Sequence, residues 1–281
     1  MSDVLYVAAR APRPGFTKTR LGQAIGHEQA AALYVAFLRD LAARFAHAPF
    51  PVGWYVTPED AWDDLAPLVL GTNGRGGEGG IGLDADAHGA RDGGVGTNSG
   101  AGENGARGRC PPVIVQGPGD WGARQQALFR TATARGESRT ILVASDSPQL
   151  EVEVVAEAFA LLDVHDLVLG PTIDGGYYLM GMRRPCDVLG SVRMSTGTVL
   201  SEIVARAERL GLSVGLVPPT FDVDDADDLD RLAEVAWARN DLVATRAVLE
   251  QLGRLMPAER VRFAPASRQL VPHTPSRPVV S

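Results

Sequence analysis

The sequence lacks the features that mark secreted and membrane proteins. Its first residues run straight into a strand-like segment at 4–9, with no basic stretch followed by a long apolar run, so we expect no signal peptide. No run of about 18 apolar residues is present, and such a run is the signature of a transmembrane helix. These absences favour a cytoplasmic protein with no membrane span.

Cysteine is scarce, and positive charge is not in excess. Cys110 and Cys186 are too few for a disulfide framework, and with five scattered histidines they show no zinc-binding spacing. The formal net charge of -7 argues against nucleic acid as a partner, because non-specific binding needs a basic surface. A small phosphate ligand stays open, since a local cluster of Lys and Arg binds phosphate even on an acidic protein. The oligomeric state is open as well.

Glycine and proline are concentrated in two segments. Residues 71–109 hold about fifteen of the 32 glycines and almost no large apolar residue. Such a segment cannot bury enough apolar surface to offset its ordering entropy, which predicts a disordered insertion. Residues 256–281 are Pro-rich and predict a flexible tail. The rest of 1–255 has the size of a single large domain.

Strand-like and helix-like segments alternate along that domain. Apolar runs predict strands at 4–9, 51–57, 112–116, 140–145, 166–171, 177–182 and 212–218. Helical spacing predicts helices at 27–46, 124–134, 150–162, 198–210, 227–238 and 241–252. This alternation indicates an α/β fold with a mostly parallel sheet and helices on both faces. Ligands of such sheets bind beyond the carboxyl ends of the strands, so we expect the chemistry there.

The loop after the first strand is rich in cations. Arg10, Arg13, Lys18 and Arg20 fall within eleven residues, among Pro and Gly. At the carboxyl end of a strand, this arrangement suits a polyphosphate, although a K-T-R triplet alone is more often a solvated surface loop. No Walker A pattern is present, and no G-x-G-x-x-G follows the strand, so a P-loop or dinucleotide fold is not indicated.

An acid follows the strand at 140–145, which ends in Ser145. Asp146 fits a Mg²⁺ or Mn²⁺ site on a bound nucleotide, because carboxylates are hard oxygen ligands. Ser147 and Pro148 predict the N-cap and first residue of the next helix, which leaves Asp146 without a structural role. Helix capping of the whole segment is the structural alternative.

A second acid cluster follows the strand at 212–218. Asp225 predicts an N-cap, and Asp227 and Asp228 suit the first turn of the helix that follows. Asp222 and Asp224 precede the helix, where clustering them costs repulsion unless a cation compensates. We therefore predict Asp224 as the second metal ligand.

Two further segments give weaker signals. Asp174 lies in an Asp-Gly-Gly turn between two strands, and this pattern predicts either a plain hairpin or a carboxylate that orients an acceptor hydroxyl or a sugar. Gly119, Asp120 and Arg124 follow another strand in a Gly-rich segment that leads into a helix. We assign these three residues to nucleotide binding.

The order of these motifs carries a family resemblance. The chain contains, in sequence, R-x-P-x-x-G-x-x-K-T-R-L, Q-G…G-D-x-G-x-R, S-D-S-P, G-P-x-x-D-G-G-Y-Y-L, S-T at 195–196 and D-V-D-x-x-D-D-L. Over about 4–239, apart from the Gly-rich insertion, it resembles the bacterial GT-A-like glycosyltransferase family, some members of which are linked to arsenosugar biosynthesis. It is more distantly similar to 2-phospholactate guanylyltransferases and molybdenum-cofactor nucleotidyltransferases.

The resemblance implies a GT-A (nucleotide-diphospho-sugar transferase) fold. It also implies that Lys18 and Arg20 contact nucleotide phosphates and that Asp146 and Asp224 hold the metal. Met194, which stands where Trp often precedes Ser-Thr in the family, puts the acceptor in doubt more than the nucleotide site. Ala144 also departs from the family pattern, since glycine is common there.

The predicted protein is therefore an enzyme that uses a nucleotide-activated donor, Mg²⁺ or Mn²⁺, and a small-molecule acceptor. Glycosyl transfer from a nucleotide sugar is favoured slightly over nucleotidyl transfer from an NTP to a phosphate or phosphonate with release of pyrophosphate. A non-catalytic nucleotide-binding protein is the third alternative. The predicted catalytic residues are Asp146, Asp174 and Lys18, and the predicted nucleotide-binding residues are Arg10, Lys18, Arg20, Gly119, Asp120, Arg124 and Ser145.

Overall fold

A computed structural model describes residues 2–70, 111–190, 192–194 and 196–254. The predicted insertion at 71–109, the predicted tail at 256–281 and Ser195 of the S-T motif lie outside the described residues.

The described residues contain one seven-stranded sheet. Its strands are β1 (Asp3–Arg10), β2 (Val52–Thr57), β3 (Val113–Val115), β4 (Arg139–Ala144), β5 (Leu167–Pro171), β6 (Tyr177–Met182) and β7 (Val214–Leu216). The strand order is β3-β2-β1-β4-β6-β5-β7, and only β6 runs antiparallel to its neighbours. The prediction of a mostly parallel α/β sheet is confirmed.

Helices cover both faces of the sheet. They are α1 (Thr19–Ile25), α2 (His27–Phe45), α3 (Ala61–Val69), α4 (Trp121–Ala134), α5 (Val152–Leu161), α6 (Val199–Arg209), α7 (Ala226–Ala238) and α8 (Val243–Gln251). One buried cluster joins the sheet to α4 and α6, and the other joins it to the remaining helices. No helix in the described ranges is long and apolar enough to cross a membrane.

Strand β1 shows how the sequence produces two cores. Its side chains alternate between the faces of the sheet, as strand geometry requires. Leu5 and Val7 are fully buried in the cluster with α2, whereas Tyr6 is fully buried in the opposite cluster with α4. Each such side chain contributes about 1.5–3 kcal/mol of burial free energy. A central strand with both faces covered therefore reads as an almost continuous apolar run.

A buried carboxylate fixes α8 against α2. Asp40 of α2 is 3% exposed, and its two oxygens accept hydrogen bonds from the backbone N–H groups of Ala244 (2.9 Å) and Thr245 (2.8 Å). These N–H groups lie in the first turn of α8, where the helix supplies no partner for them. Asp40 thus caps a helix that lies about 200 residues further along the chain.

The structure corrects the predicted start of α5. Ser147 and Pro148 do not cap the helix, because α5 begins at Val152 and its N-cap is Glu151. The Ser147 side chain is fully buried, and its Oγ donates a hydrogen bond to the Phe221 carbonyl at 2.9 Å. A contact with a distant loop has therefore replaced the local capping bond that the sequence suggests.

The Asp-Gly-Gly segment forms a hairpin turn between β5 and β6. Gly175 has a φ of 90°, and a Cβ at this position would meet the Gly197 carbonyl oxygen at 2.0 Å. Both the backbone conformation and this close approach require glycine. Asp174 braces the turn, since its Oδ1 accepts hydrogen bonds from the Thr172 hydroxyl and from the Gly176 N–H.

Candidate active site

The site forms where one loop crosses the carboxyl ends of several strands. Strand β7 lies at the edge of the sheet, three positions from β4, yet the chain after β7 returns to β4. Hydrogen bonds mark its course: the Thr220 N–H donates to the Pro171 carbonyl after β5, and the Val223 N–H donates to the Asp146 carbonyl after β4. This crossing brings two acids together that are 78 positions apart in sequence, Asp146 and Asp224.

Asp146 and Asp224 converge on one cation. The Lys18 ammonium contacts Asp146 Oδ1 at 2.9 Å and Asp224 Oδ1 at 3.1 Å, and it donates to the Val223 carbonyl at 2.7 Å. The Lys18 side chain is 5% exposed, whereas the two carboxylates are about one-third exposed. The carboxylates are therefore accessible to solvent, whereas the ammonium is almost fully buried.

Lys18 owes its position to the loop that precedes α1. Its backbone has φ 49° and ψ 46°, a left-handed conformation that non-glycine residues adopt rarely. The same loop is tied down by Arg13, whose guanidinium bonds Asp60 and Asp64 of the 60–64 segment at 2.8 Å each. A restrained loop therefore presents Lys18 to the acid pair.

A cavity of about 790 Å³ opens in front of the acid pair. A volume of this size lies within the usual range for small-molecule and cofactor pockets. The predicted site residues that line it are Arg10, Lys18, Arg20, Gly119, Asp120, Arg124, Ser145, Asp146 and Asp224. Asp174 is the predicted site residue that is not part of this lining.

Arginines supply positive charge at the cavity. Arg20 is 71% exposed and pairs with Asp224, so its guanidinium remains open to solvent. Arg124 is held in place from α4, with its Nε donating to the Gly119 carbonyl at 2.9 Å. Arg10 is an exposed residue at the carboxyl end of β1. Cations around a water-accessible cavity fit an anionic ligand such as a polyphosphate.

Two of the predicted nucleotide-binding residues also have structural tasks. Asp120 is the N-cap of α4, and its side chain accepts a hydrogen bond from the Ala123 N–H at 2.8 Å. Ser145 is 3% exposed and shares a 2.8 Å hydrogen bond with the hydroxyl of Tyr34. Burial, with the nearby Asp146 carboxylate as a second cause, raises the pKa of Tyr34, so its hydroxyl remains protonated.

Asp222 is a site residue that the sequence analysis did not assign. It lines the cavity beside Asp224. Burial, followed by the charges of the Asp224, Asp174 and Asp146 carboxylates, raises the pKa of Asp222 to about 6. The acid cluster before α7 pointed to this residue, but only its proximity to three other acids distinguishes it. Gln116, Trp121, Tyr177 and Phe16 also line the cavity and were not predicted.

Hydrogen bonds join the two loops that carry the acids. The buried Phe221 carbonyl accepts from Ser147 Oγ at 2.9 Å and from Gln149 Nε2. Gln149 also donates to Thr220 Oγ1 at 3.0 Å. The loop after β4 and the loop after β7 therefore form one unit, and the acid pair rests on it.

The acid pair fits a divalent metal that is shared with a nucleotide. Among the residues the structure describes, no group of three or more His, Cys, Asp and Glu side chains forms a metal site. Mg²⁺ on a nucleotide is commonly held by one or two carboxylates, with phosphate oxygens and water as the other ligands. Asp146 and Asp224 meet this requirement, because both already contact a single positive charge from accessible positions.

Comparisons with known proteins find similarity to one family and to solved structures. A family described as "Uncharacterized protein conserved in bacteria (DUF2064)" matches residues 92–196. No curated protein matches the chain. A solved structure from Desulfovibrio desulfuricans G20, provisionally described as a nucleotide-diphospho-sugar transferase, is 26% identical, with a TM-score of 0.70 over 91% of this chain and 97% of that chain. A cytidylyltransferase from Leptospira borgpetersenii is 11% identical, with a TM-score of 0.49 over 91% of this chain and 96% of that chain.

The similarity to the Desulfovibrio protein confirms the predicted fold class, an α/β fold of the nucleotide-diphospho-sugar transferase (GT-A) type. It also supports the prediction that the chain is a transferase enzyme that works with nucleotides. Fold alone does not identify a reaction, and the residues of the site determine which reaction the protein can catalyse.

Proposed function

We propose that this protein is a metal-dependent glycosyltransferase that moves a sugar from a nucleotide-sugar donor to a small-molecule acceptor. One observation carries the proposal: Asp146 and Asp224 converge at the floor of a cavity that is also lined by Arg10, Arg20 and Arg124. This arrangement suits a diphosphate that carries a divalent metal. The similarity to a protein described as a nucleotide-diphospho-sugar transferase supports the sugar-nucleotide donor.

In this proposal, the acidic residues of the site hold the metal and the arginines neutralise the diphosphate. Asp146 and Asp224 would hold Mg²⁺ or Mn²⁺, which when bound supplies Lewis-acid neutralisation of the diphosphate leaving group. Arg20 and Arg124 place positive charge where the diphosphate gains negative charge, and such preoriented charge is worth more in a partly enclosed site than in water. Arg10, at the end of β1, adds a third cation.

Nucleotidyl transfer is the second candidate, and the structure offers one observation for it. Asp174, predicted as a catalytic residue that orients an acceptor hydroxyl or a sugar, braces its own turn through Thr172 and Gly176 and does not line the cavity. A phosphate or phosphonate acceptor needs no separate base to attack the α-phosphate of an NTP. The same carboxylates and cations would serve that reaction.

A donor panel tests the proposal. The full chain is incubated with Mg²⁺ or Mn²⁺ and a set of NTPs and sugar nucleotides, and the released products are measured. Nucleoside diphosphate released from a sugar nucleotide supports glycosyl transfer. Pyrophosphate released from an NTP with a phosphorylated acceptor supports nucleotidyl transfer instead. Ligand-induced thermal shifts without turnover of any donor would refute both and favour a binding protein.

Asp146→Asn is the matching variant. We expect metal-dependent turnover to fall by about 10²-fold or more, because an amide is a neutral, weaker ligand and contributes no charge to a metal site. The fold should be retained, because the amide oxygen of asparagine can still contact the Lys18 ammonium and Asp224 still supplies a carboxylate to it. Asp63→Asn, at an exposed position of α3, is the control and should retain activity. Near-normal turnover by Asp146→Asn would remove this residue from the site.

A further inference from the structure

Lys18 is the only lysine in the sequence. Every other residue of the Lys and Arg class is arginine, including the other cations at the cavity. The two side chains differ in ways that matter here: an ammonium is a compact point charge with three donors, and a guanidinium is a planar fork that remains charged. The single lysine ammonium of the protein lies at the acid pair. The choice of lysine over arginine therefore has to be explained by the chemistry of that position.

The environment of Lys18 holds the ammonium through three contacts. Its Nζ donates hydrogen bonds to the Val223 carbonyl at 2.7 Å and to Asp224 Oδ1 at 3.1 Å, and it forms an ion pair with Asp146 Oδ1 at 2.9 Å. The side chain is 5% exposed, so these contacts are only weakly screened by solvent. Lys18 is therefore not an unpaired cation that is available to a phosphate. It is already the counter-ion of the acid pair.

The proposed function assigns these same two carboxylates to a divalent metal. A Mg²⁺ ion needs its oxygen ligands at about 2.0–2.1 Å. The ammonium occupies Oδ1 of both carboxylates and Arg20 occupies Oδ2 of Asp224, so an ion that binds between the two acids competes with Lys18 for them. We propose that Lys18 is the resident cation of the acid pair in the metal-free protein and that the divalent metal displaces it, in a lysine-for-metal exchange. This inference rests on the proposed metal site and adds a competitor for it.

The exchange has a measurable consequence for the metal-free protein. Lys18 holds the two acids together without metal and so limits their mutual repulsion. An incoming ion has to break the contacts of the ammonium, so the divalent metal alone binds more weakly than it would to an unoccupied acid pair. Removal of the ammonium should then strengthen the binding of the metal in the absence of nucleotide. This holds although the change also removes a positive charge from a cavity that we propose binds anionic ligands.

Metal binding to the full chain without nucleotide is the first test. Free Mn²⁺ is measured by electron paramagnetic resonance with wild type and with Lys18→Met, which keeps side-chain length and removes the charge. We expect Lys18→Met to bind Mn²⁺ about tenfold more tightly or better, because a buried unit charge next to the ligands opposes the metal. Equal or weaker binding, or no Mn²⁺ binding by either protein, overturns the proposal.

Arg20→Met is the matched control. Arg20 also contacts Asp224, but it is 71% exposed, so its charge is strongly screened. We expect this variant to change the Mn²⁺ affinity by less than about threefold. An increase as large as that of Lys18→Met would mean that net charge, and not displacement of Lys18, sets the affinity, and this result would overturn the proposal.

The second test needs no variant. Since the protein has one lysine, selective ¹⁵N-lysine labelling gives a single side-chain ammonium signal. Titration of wild type with Mg²⁺ should shift this signal and raise its proton exchange with water, with the same midpoint as metal binding. An unchanged signal in the metal-bound protein overturns the exchange. If that protein still turns over a nucleotide donor, the proposed function survives. If wild type shows no metal-dependent turnover of any nucleotide donor, the proposed function is wrong.

Discussion

Asp222→Asn gives a sharp test of the electrostatics of the site. In the metal-free protein, burial and, after it, the charges of the Asp224, Asp174 and Asp146 carboxylates together raise the pKa of Asp222 from an ordinary 3.8 to about 6. The ionised form of Asp222 is therefore less favourable in the folded protein than in the unfolded chain. Asparagine has the same shape without the charge, so this variant isolates the cost of ionisation.

The sign of the effect follows from the two pKa values of Asp222. Below pH 3.8 the carboxyl is protonated in both the folded and unfolded states, and its charge costs nothing. Between pH 3.8 and about 6 the unfolded chain loses the proton first, so stability falls as the pH rises. Above that range both states are ionised, and the full cost remains. The pKa difference corresponds to at most about 3 kcal/mol, and screening of this partly exposed group reduces the cost to about 1–2 kcal/mol.

Urea unfolding of the metal-free protein measures this cost. The free energies of unfolding of wild type and Asp222→Asn are compared from pH 4 to pH 8 in the presence of a chelator. We expect the variant to be more stable by about 1–2 kcal/mol at pH 8 and close to wild type near pH 4. Glu208→Gln, at an exposed position of α6, is the control and should show no such trend. A difference between wild type and Asp222→Asn that stays constant across the pH range would refute the reasoning.

Two further predictions concern the framework of the site. Asp40→Ala should lower the free energy of unfolding by about 3 kcal/mol in chemical denaturation, because two N–H groups of α8 lose a charged acceptor, whereas Asp40→Asn should lose about half as much. Ser147→Ala should cost about 1 kcal/mol in the same assay, since the Phe221 carbonyl keeps its hydrogen bond from Gln149. Unchanged stability of Asp40→Ala, or a loss above about 3 kcal/mol in Ser147→Ala, would contradict these assignments.

The central strands of the fold are predictable because their signal is local. β1 and β4 lie side by side with both faces covered, and each is an almost continuous apolar run. The two helices that were not predicted from the sequence, α1 and α3, lack such a local signal. α3 contains Pro67, which removes a helical hydrogen bond, and α1 has seven residues with no side-chain cap. Both helices form because α2 provides a surface for them to pack on, together with α7 for α1 and β2 for α3.

Much of the site could be predicted from the sequence, because parallel strands place their carboxyl ends together. Arg10 ends β1 and Asp146 comes shortly after the neighbouring strand β4, so that rule alone puts them at one edge of the sheet. The partners of Lys18 could not be predicted from the sequence in this way. Its contacts with Asp146 and Asp224 depend on tertiary packing of loops from three parts of the chain, and a loop rich in Arg and Lys reads equally well as a free phosphate-binding loop.

The capping prediction for Ser147 failed for a physical reason that also explains how the site is held. A serine hydroxyl has one proton to donate, and at an N-cap its oxygen would act as an acceptor toward the helix. In the structure the hydroxyl donates to Phe221, so the capping signal was overridden by a buried carbonyl that needed a donor.

The distance between the two acids of the pair is determined more by the packing of the loop after β7 than by the sheet. Asp146 follows a central strand and is fixed by it, but Asp224 reaches the same point only because the chain returns from the edge of the sheet. Four backbone and side-chain hydrogen bonds hold that return to the β4 loop: Val223 to Asp146, and the bonds from Ser147 and Gln149 to Phe221 and Thr220. Because repulsion between the carboxylates opposes this closure, the buried ammonium of Lys18 and the hydrogen-bonded loops have to act together. A divalent metal that replaces Lys18 would then enter a site whose spacing the loops already maintain.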